Sequence, residues 1–140
     1  MSSNSYSGNR VVFSNTEMEF LQSNEICRIA TSSNNIPHIV PVGYIFDEPM
    51  FYFATDYETI KFKNLKRNRN IAILVDVYDS PNNKAVLIQG IAKFIEQGEE
   101  FKRIYTMFWK KFDWVRKEPW LEGESPFVAI KPEHKISWGL

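Results

Sequence analysis

The chain has 140 residues, of which 44% are apolar, enough for one hydrophobic core and too few for two ordinary domains. Its 17 basic and 17 acidic residues cancel, which excludes a global field that would draw the protein to nucleic acid or to an anionic membrane. One cysteine excludes an intramolecular disulfide, and no run of about 18 apolar residues is present, so we expect a soluble cytoplasmic protein.

The N-terminal residues divide into a tail and the start of the folded domain. Residues 1–13 are rich in Ser and Asn and predict a flexible tail, whereas residues 14–140 predict a single domain. Ser14 or Asn15 is expected to cap a short helix, because Glu17 lies near the positive end that such a helix would have.

Short apolar stretches bounded by turn residues predict a series of strands. The predicted strands cover residues 26–31, 36–46, 50–54, 71–77, 85–95, 126–130 and 135–138. Further helices are predicted over residues 59–68 and 99–112, and Gly90 is a natural position for a bulge. Residues 78–84 are predicted to form a loop and residues 114–125 to be irregular. This composition of elements predicts a mainly β protein, a β-barrel with helices.

The strand predicted over residues 36–46 is apolar on both faces. Val40 and Val42 lie on one face and Ile39 and Pro41 on the other, so we expect the strand to be buried between layers or against a partner. Pro41 removes one ladder donor and Gly43 has no side chain, which would leave backbone open to a flat ring.

The segment from Thr55 to Leu65 runs from the end of a strand into a basic helix. Unpaired N–H groups at a helix N-terminus bind phosphate, and Thr59, Lys61 and Lys63 would add a hydroxyl donor and two charges. A solvated basic helix with a Thr cap explains the same spacing equally well.

Several short motifs follow one another along the chain in a definite order. They are Ile29-Ala30-Thr31, Pro37-His38-Ile39-Val40-Pro41-Val42, Thr55 with Thr59, Lys61-Phe62-Lys63-Asn64-Leu65, Gln89-Gly90-Ile91-Ala92 and Ile136-Ser137-Trp138. Their order, over roughly residues 17–138, resembles that of the pyridoxamine-phosphate-oxidase-like split barrels.

This resemblance implies an FMN-binding split β-barrel of the Greek-key type, with six or more antiparallel strands. It also implies a homodimer with a cofactor at the subunit interface. The implied cofactor-binding residues are Thr59, Lys61, Lys63 and Asn64 at the phosphate, Thr55 at the ribityl chain, Ile39, Val40, Pro41 and Val42 along the ring, and Trp138, which would reach the site from the same or the other subunit.

The sequence also departs from the family pattern. Ile60 stands where pyridoxamine-phosphate oxidases carry an Arg, apolar residues around Val40 and Ile45 replace an Arg and a Lys, and the C-terminal Arg and His signature is absent. We therefore expect an activity other than oxidation of pyridoxamine phosphate. The Lys-x-Lys-Asn-Leu motif is also similar to that of members using the deazaflavin coenzyme F-420, so the cofactor stays open between FMN and that compound.

The leading hypothesis is a flavin-dependent oxidoreductase acting on a small molecule, in which the cofactor ring carries the chemistry. The alternative is a non-catalytic flavin- or haem-binding module. Nucleic-acid binding through residues 61–69 is disfavoured by the zero net charge.

No residue stands out as a catalytic acid, base or nucleophile, and the catalytic residues stay unassigned. His38, His134 and Cys27 lack metal-ligand spacing and are expected to be structural. The aromatic stripe over residues 101–112 predicts a core-facing helix surface. Three tryptophans fall outside that stripe and are candidates for a dimer contact or a substrate mouth: Trp109, Trp114 and Trp120.

Overall fold

A computed structural model of the chain describes residues 2–4 and 10–140, with side chains from residue 10 onward. The strands are β1 (Ser2–Asn4), β2 (Ile26–Ser33), β3 (Ile36–Gly43), β4 (Ile45–Asp47), β5 (Met50–Ala54), β6 (Asn70–Asp79), β7 (Asn82–Ile95) and β8 (Phe127–Trp138). The helices are α1 (Asn15–Ser23), α2 (Ile60–Arg67), α3 (Gly98–Lys111) and α4 (Asp113–Lys117). No helix within the described ranges is long and apolar enough to cross a membrane.

The strands form one antiparallel sheet in the order β3-β2-β6-β7-β8-β5-β4, and β1 pairs with β8. The connection from β3 to β4 joins the two edges of this order, and the connection from β5 through α2 to β6 skips over strands as in a Greek key. Curling of the sheet lets β3 approach β5. The predicted mainly β, split-barrel fold with six or more antiparallel strands is confirmed.

The core has two parts because some strands are covered on both faces. In β5 and β8, Phe51, Phe53, Val128 and Ile130 point into the barrel, while the alternate residues point outward. Those alternate residues meet the apolar stripe of α3, as the sequence predicts. The contact is formed by Tyr52, Phe127 and Ala129 with Phe101, Ile104 and Phe108. The β5 end that leads to α2 is therefore held from both sides.

Strand β3 differs from its prediction. It ends at Gly43, and Tyr44 separates it from β4, because the Tyr44 N–H turns to donate to the carbonyl of Glu25 at 3.0 Å. Only its inner face, with Val40 and Val42, packs on the core. The outer face of this edge strand is exposed in the single chain, with Ile39 64% accessible.

The C-terminal region also differs from its prediction. Residues 127–138 form one continuous strand instead of two, because Pro132 falls at a register shift opposite Gly90, where a missing ladder donor is tolerated. Residues 113–117 form α4, since Val115 is buried there. The predicted loop over residues 78–84 is a tight hairpin, with Asp79 paired to Asn82.

The division into a tail of residues 1–13 and a domain of residues 14–140 stays a prediction. Residues 1 and 5–9 of that tail lie outside the described residues. In the rest of it, Ser2–Asn4 pairs with β8, and Val11 and Phe13 are buried in the core.

Candidate functional site

The strand-to-helix junction predicted to bind phosphate has a closed hydrogen-bond network. Thr59 is the N-cap of α2, and its Oγ1 accepts from the Phe62 N–H at 3.2 Å. The same hydroxyl lies 3.0 Å from the Asp56 carbonyl and 2.8 Å from the Thr55 hydroxyl. The two threonines thus fix the first turn of the helix.

The network leaves the N–H groups of the first turn as the principal donors at this corner. Each hydroxyl supplies one proton, and the Thr59 proton is directed either to Asp56 or to Thr55. The N–H groups of Ile60 and Lys61 are the first two of α2 and have no acceptor within the helix. An anion here would meet backbone amides held in place by Thr59.

A cleft of about 360 Å³ opens at this corner. It is lined by Ala54, Thr55, Asp56, Thr59, Lys61, Trp114, Glu118, Trp120 and Ser125. Partial burial lowers the pKa of the Lys61 ammonium, and the Asp56 carboxylate opposes that shift. Lys61 is therefore a partly desolvated cation, so its attraction for an anion is less weakened by water than that of a fully exposed lysine.

The helix separates the two predicted phosphate-binding lysines. Two residues along an α-helix correspond to a rotation of about 200°, so Lys61 and Lys63 project to nearly opposite sides. Lys61 lines the cleft, and Lys63 is exposed outside it. Asn64 is engaged elsewhere, since its amide donates to the Thr31 hydroxyl at 3.0 Å and fastens α2 to β2.

The far wall of the cleft is aromatic. The rings of Trp114 and Trp120 are parallel within 4°, with centroids 6.0 Å apart. Trp120 is fixed by its indole N–H, which donates to the Ser125 carbonyl at 3.1 Å, and by its backbone N–H, which donates to the Tyr105 hydroxyl. Trp114 lines the cleft and remains 45% exposed.

Two carboxylates complete the lining, and sequence reasoning missed both. Asp56 accepts from the Ser125 hydroxyl at 2.6 Å, which ties the strand-to-helix junction to the segment before β8. Glu118 is exposed and follows α4. Asp56 lies within the segment from Thr55 to Leu65 that predicts phosphate binding, so this segment could have indicated it. Glu118 and Ser125 reach the cleft only through tertiary packing and carry no local signal.

The remaining predicted site residues are not among those that line this cleft in the single chain. Ile39–Val42 belong to the edge strand β3, on the far side of β2 from β6. Trp138 lies at the opposite end of β8 from Phe127, roughly 35 Å away at about 3.3 Å per residue. Its indole N–H donates to the Tyr78 hydroxyl at 2.9 Å.

The other candidate groups have structural surroundings. Cys27 is buried, and this burial raises the pKa of its thiol to about 12, which is typical of an unreactive cysteine. His38 lies opposite Thr31 in the β2–β3 ladder, and within the described residues its Nδ1 atom is buried without a hydrogen-bond partner.

These features define a split β-barrel protein with a cleft at a helix N-terminus. The chain belongs to the pyridoxamine 5'-phosphate oxidase family, because residues 14–138 match that family. No curated protein matches the sequence significantly.

Solved structures share the fold at low sequence identity. A putative pyridoxamine 5'-phosphate oxidase from Listeria innocua is 19% identical with a TM-score of 0.74, over 90% of this chain and 98% of its own. An FAD-binding protein from Mesorhizobium loti is 18% identical with a TM-score of 0.71, over 98% of both chains. The haem storage protein HutZ from Vibrio cholerae is 14% identical with a TM-score of 0.72, over 85% of this chain and 89% of its own.

Proposed function

We propose that the chain is a flavin-dependent oxidoreductase that binds FMN and acts on a small molecule other than pyridoxamine phosphate. The observation that carries this proposal is the convergence of Lys61, the free amides of α2 and the Thr55–Thr59 pair on one cleft. Membership of the pyridoxamine 5'-phosphate oxidase family and the similarity to the fold of an FAD-binding protein support a flavin as the ligand.

The donor set suits a phosphate monoester. The helix N-terminus supplies partial positive charge and two N–H donors, and Lys61 adds a full charge that is partly shielded from water. Thr59 acts by holding the first turn in place rather than as the main donor. A bound flavin would supply hydride or electron transfer, while these residues bind and orient it.

We propose further that the chain works as a homodimer with the cofactor at the interface. The outer face of β3 exposes Ile39 and Pro41, and Tyr78 and Ile136 are exposed on neighbouring parts of the same sheet. Pairing of two such faces would remove apolar surface from water. In such a dimer Ile39–Val42 would lie at the subunit interface.

The test is to purify the protein and identify what it carries. We expect a yellow chromophore, and mass spectrometry of the denatured supernatant should give the mass of FMN. If deazaflavin is found in place of FMN, the proposed cofactor is wrong and the proposed phosphate site still stands. If neither is found, and neither binds to the emptied protein, the proposal is wrong.

A matched pair of variants locates the site. Lys61→Ala should weaken FMN binding about tenfold or more without changing the thermal midpoint, because it removes a charge-assisted contact. Arg67→Ala removes the same charge from the exposed end of α2 and should leave affinity within about twofold. Equal losses in both variants would indicate long-range attraction instead of a phosphate contact at Lys61.

A non-catalytic cofactor-binding module is the second candidate, supported by the shared fold of a haem storage protein. Reoxidation of the reduced bound flavin separates the two. Rapid, saturable reoxidation by a defined small acceptor supports the enzyme, whereas bound flavin that exchanges no electrons with such acceptors supports the module.

A further inference from the structure

Two tryptophans line the cleft beside the threonines and the lysine of the proposed phosphate site. Trp114 is 45% exposed, and Trp120, which stacks against it, is held by two hydrogen bonds. A partly exposed indole packed against a second, fixed indole is suited to stacking a planar ring.

The charged side chains that line the cleft sum to a net negative charge. One lysine and two carboxylates line the cleft, namely Lys61, Asp56 and Glu118. Arg116, on α4, does not neutralise them, because its guanidinium is engaged by the Asp113 carboxylate and the Trp109 carbonyl. Once a phosphate takes up the charge of Lys61, the two carboxylates have no other cation among the residues lining the cleft.

From this arrangement we infer that the Trp114–Glu118 end of the cleft is a subsite for a planar aromatic cation, the second ligand of the proposed flavin site. Tryptophan is the most favourable aromatic partner for a cation, and the carboxylate of Glu118 at the same rim adds charge attraction. The inference rests on the proposed phosphate site, because phosphate binding to Lys61 is what leaves the carboxylates uncompensated.

This assignment restricts the substrate class. A neutral ring would gain only the stacking, and an anionic ring would be repelled by Asp56 and Glu118. A planar ring with a delocalised positive charge, such as an N-alkylated pyridinium, gains both contributions. Binding of such a cation should also become tighter when a phosphate-bearing flavin is bound, and the coupling is reciprocal.

The experiment uses two probes that differ in charge and share a ring: 1-methylnicotinamide, a cation, and nicotinamide, which is neutral. Binding is followed through the indole N–H resonances of the four tryptophans, in the presence and absence of FMN. We expect 1-methylnicotinamide to bind at least fivefold more tightly than nicotinamide, with shifts at Trp114 and Trp120 and none at Trp109. The preference should increase when FMN is present.

Variants separate the contribution of stacking from that of charge attraction. Trp114→Ala should weaken binding of both probes, whereas Trp109→Ala, another exposed tryptophan outside the cleft, should weaken neither. Glu118→Gln should reduce the preference for the cation about fivefold and leave nicotinamide unchanged. Glu58→Gln removes a nearby charge that does not line the cleft and should preserve the preference.

Equal affinity for the two probes, or shifts that leave out Trp114 and Trp120, would overturn the inference. Displacement of 1-methylnicotinamide by FMN would also overturn it, since the flavin itself would then occupy the aromatic wall. A different outcome would contradict the proposed function and leave this inference standing. In that outcome the protein binds the cation at Trp114 and binds neither FMN nor deazaflavin.

Discussion

The carboxylate of Glu17 and the ammonium of Lys135 lie 2.5 Å apart and are almost completely buried. Lys135 also donates to the Val12 carbonyl, and the second carboxylate oxygen of Glu17 accepts from the Ser137 hydroxyl. Glu17 completes the capping box of α1 by accepting from the Ser14 N–H at 2.8 Å. One side chain therefore starts the helix and also fastens it to β8.

We expect removal of either charge to be costly and removal of both to be less so. Glu17→Gln leaves the buried ammonium of Lys135 without its carboxylate, and Lys135→Met leaves the buried carboxylate of Glu17 without its ammonium. Each single variant should therefore lower the free energy of unfolding by about 3 kcal/mol. The double variant should lose clearly less than the sum of the two, because no isolated charge remains. Urea unfolding of the four proteins measures this coupling, and additive losses would show that the pair is not coupled in solution.

The same pair predicts a pH dependence. Burial alone would raise the pKa of Glu17, but hydrogen bonds from Lys135, Ser137 and Ser14 outweigh it and hold the pKa below the ordinary value of 4.5. The stabilisation is therefore complete above pH 4.5 and is lost as the pH falls from 4.5 through the lowered pKa of the folded state.

Unfolding measured at a series of pH values checks this sign. The difference in unfolding free energy between the wild type and Glu17→Gln should be constant near neutrality and should shrink below about pH 4.5. A difference that grows on acidification would mean that Glu17 is protonated in the native protein.

Local signals in the sequence were sufficient for the helix caps and the bulge. Of the two candidates Ser14 and Asn15, Ser14 is the cap of α1, Thr59 is the cap of α2, and the register shift falls between Gln89 and Gly90. These features depend on residues within a few positions of one another. The dual role of Glu17 was not predictable in this way, because Lys135 and Ser137 are more than a hundred residues distant in the chain.

The candidate site was predictable only in part, for the same reason. Thr55, Thr59 and Lys61 form a contiguous motif and lie at one cleft, whereas Lys63 fits the motif and projects elsewhere because of the helical repeat. Glu118 joins the cleft through the docking of α4, which is set by the burial of Val115. No short-range pattern encodes that contact.

Gly90 should not tolerate a side chain. A Cβ atom at this position would lie 2.3 Å from the carbonyl oxygen of Lys131, which belongs to the paired strand and cannot move independently of it. Gly90→Ala should therefore destabilise the protein by about 1–3 kcal/mol. Gln89→Ala, at the exposed neighbour, should change stability by less than about 0.5 kcal/mol. Thermal and urea unfolding compare the two, and equal effects would exclude a steric cause.

The proposed homodimer predicts sensitivity at the outer face of β3. Ile39→Glu would place a charge in the apolar contact and should convert the dimer to a monomer with weakened FMN binding, as measured by light scattering and flavin titration. Ile36→Glu is the matched control, since Ile36 is equally exposed but lies at the hairpin end of the strand. A wild-type protein that is monomeric at micromolar concentration would contradict the dimer proposal directly.

Ile60 offers a gain-of-function test of the phosphate site. It is the first residue of α2 and is 58% exposed. The resemblance described above implies an Arg at this position in pyridoxamine-phosphate oxidases. If the free amides of this turn face a phosphate, Ile60→Arg adds a guanidinium beside it and should tighten FMN binding about fivefold, roughly 1 kcal/mol, at low salt. The gain should decline as salt is added, because the new charge is near the surface. Val12→Arg makes a similar substitution at an exposed position in the N-terminal segment and should give no gain. An equal gain in both variants would attribute the effect to net charge, and no gain in either would place the phosphate away from the start of α2.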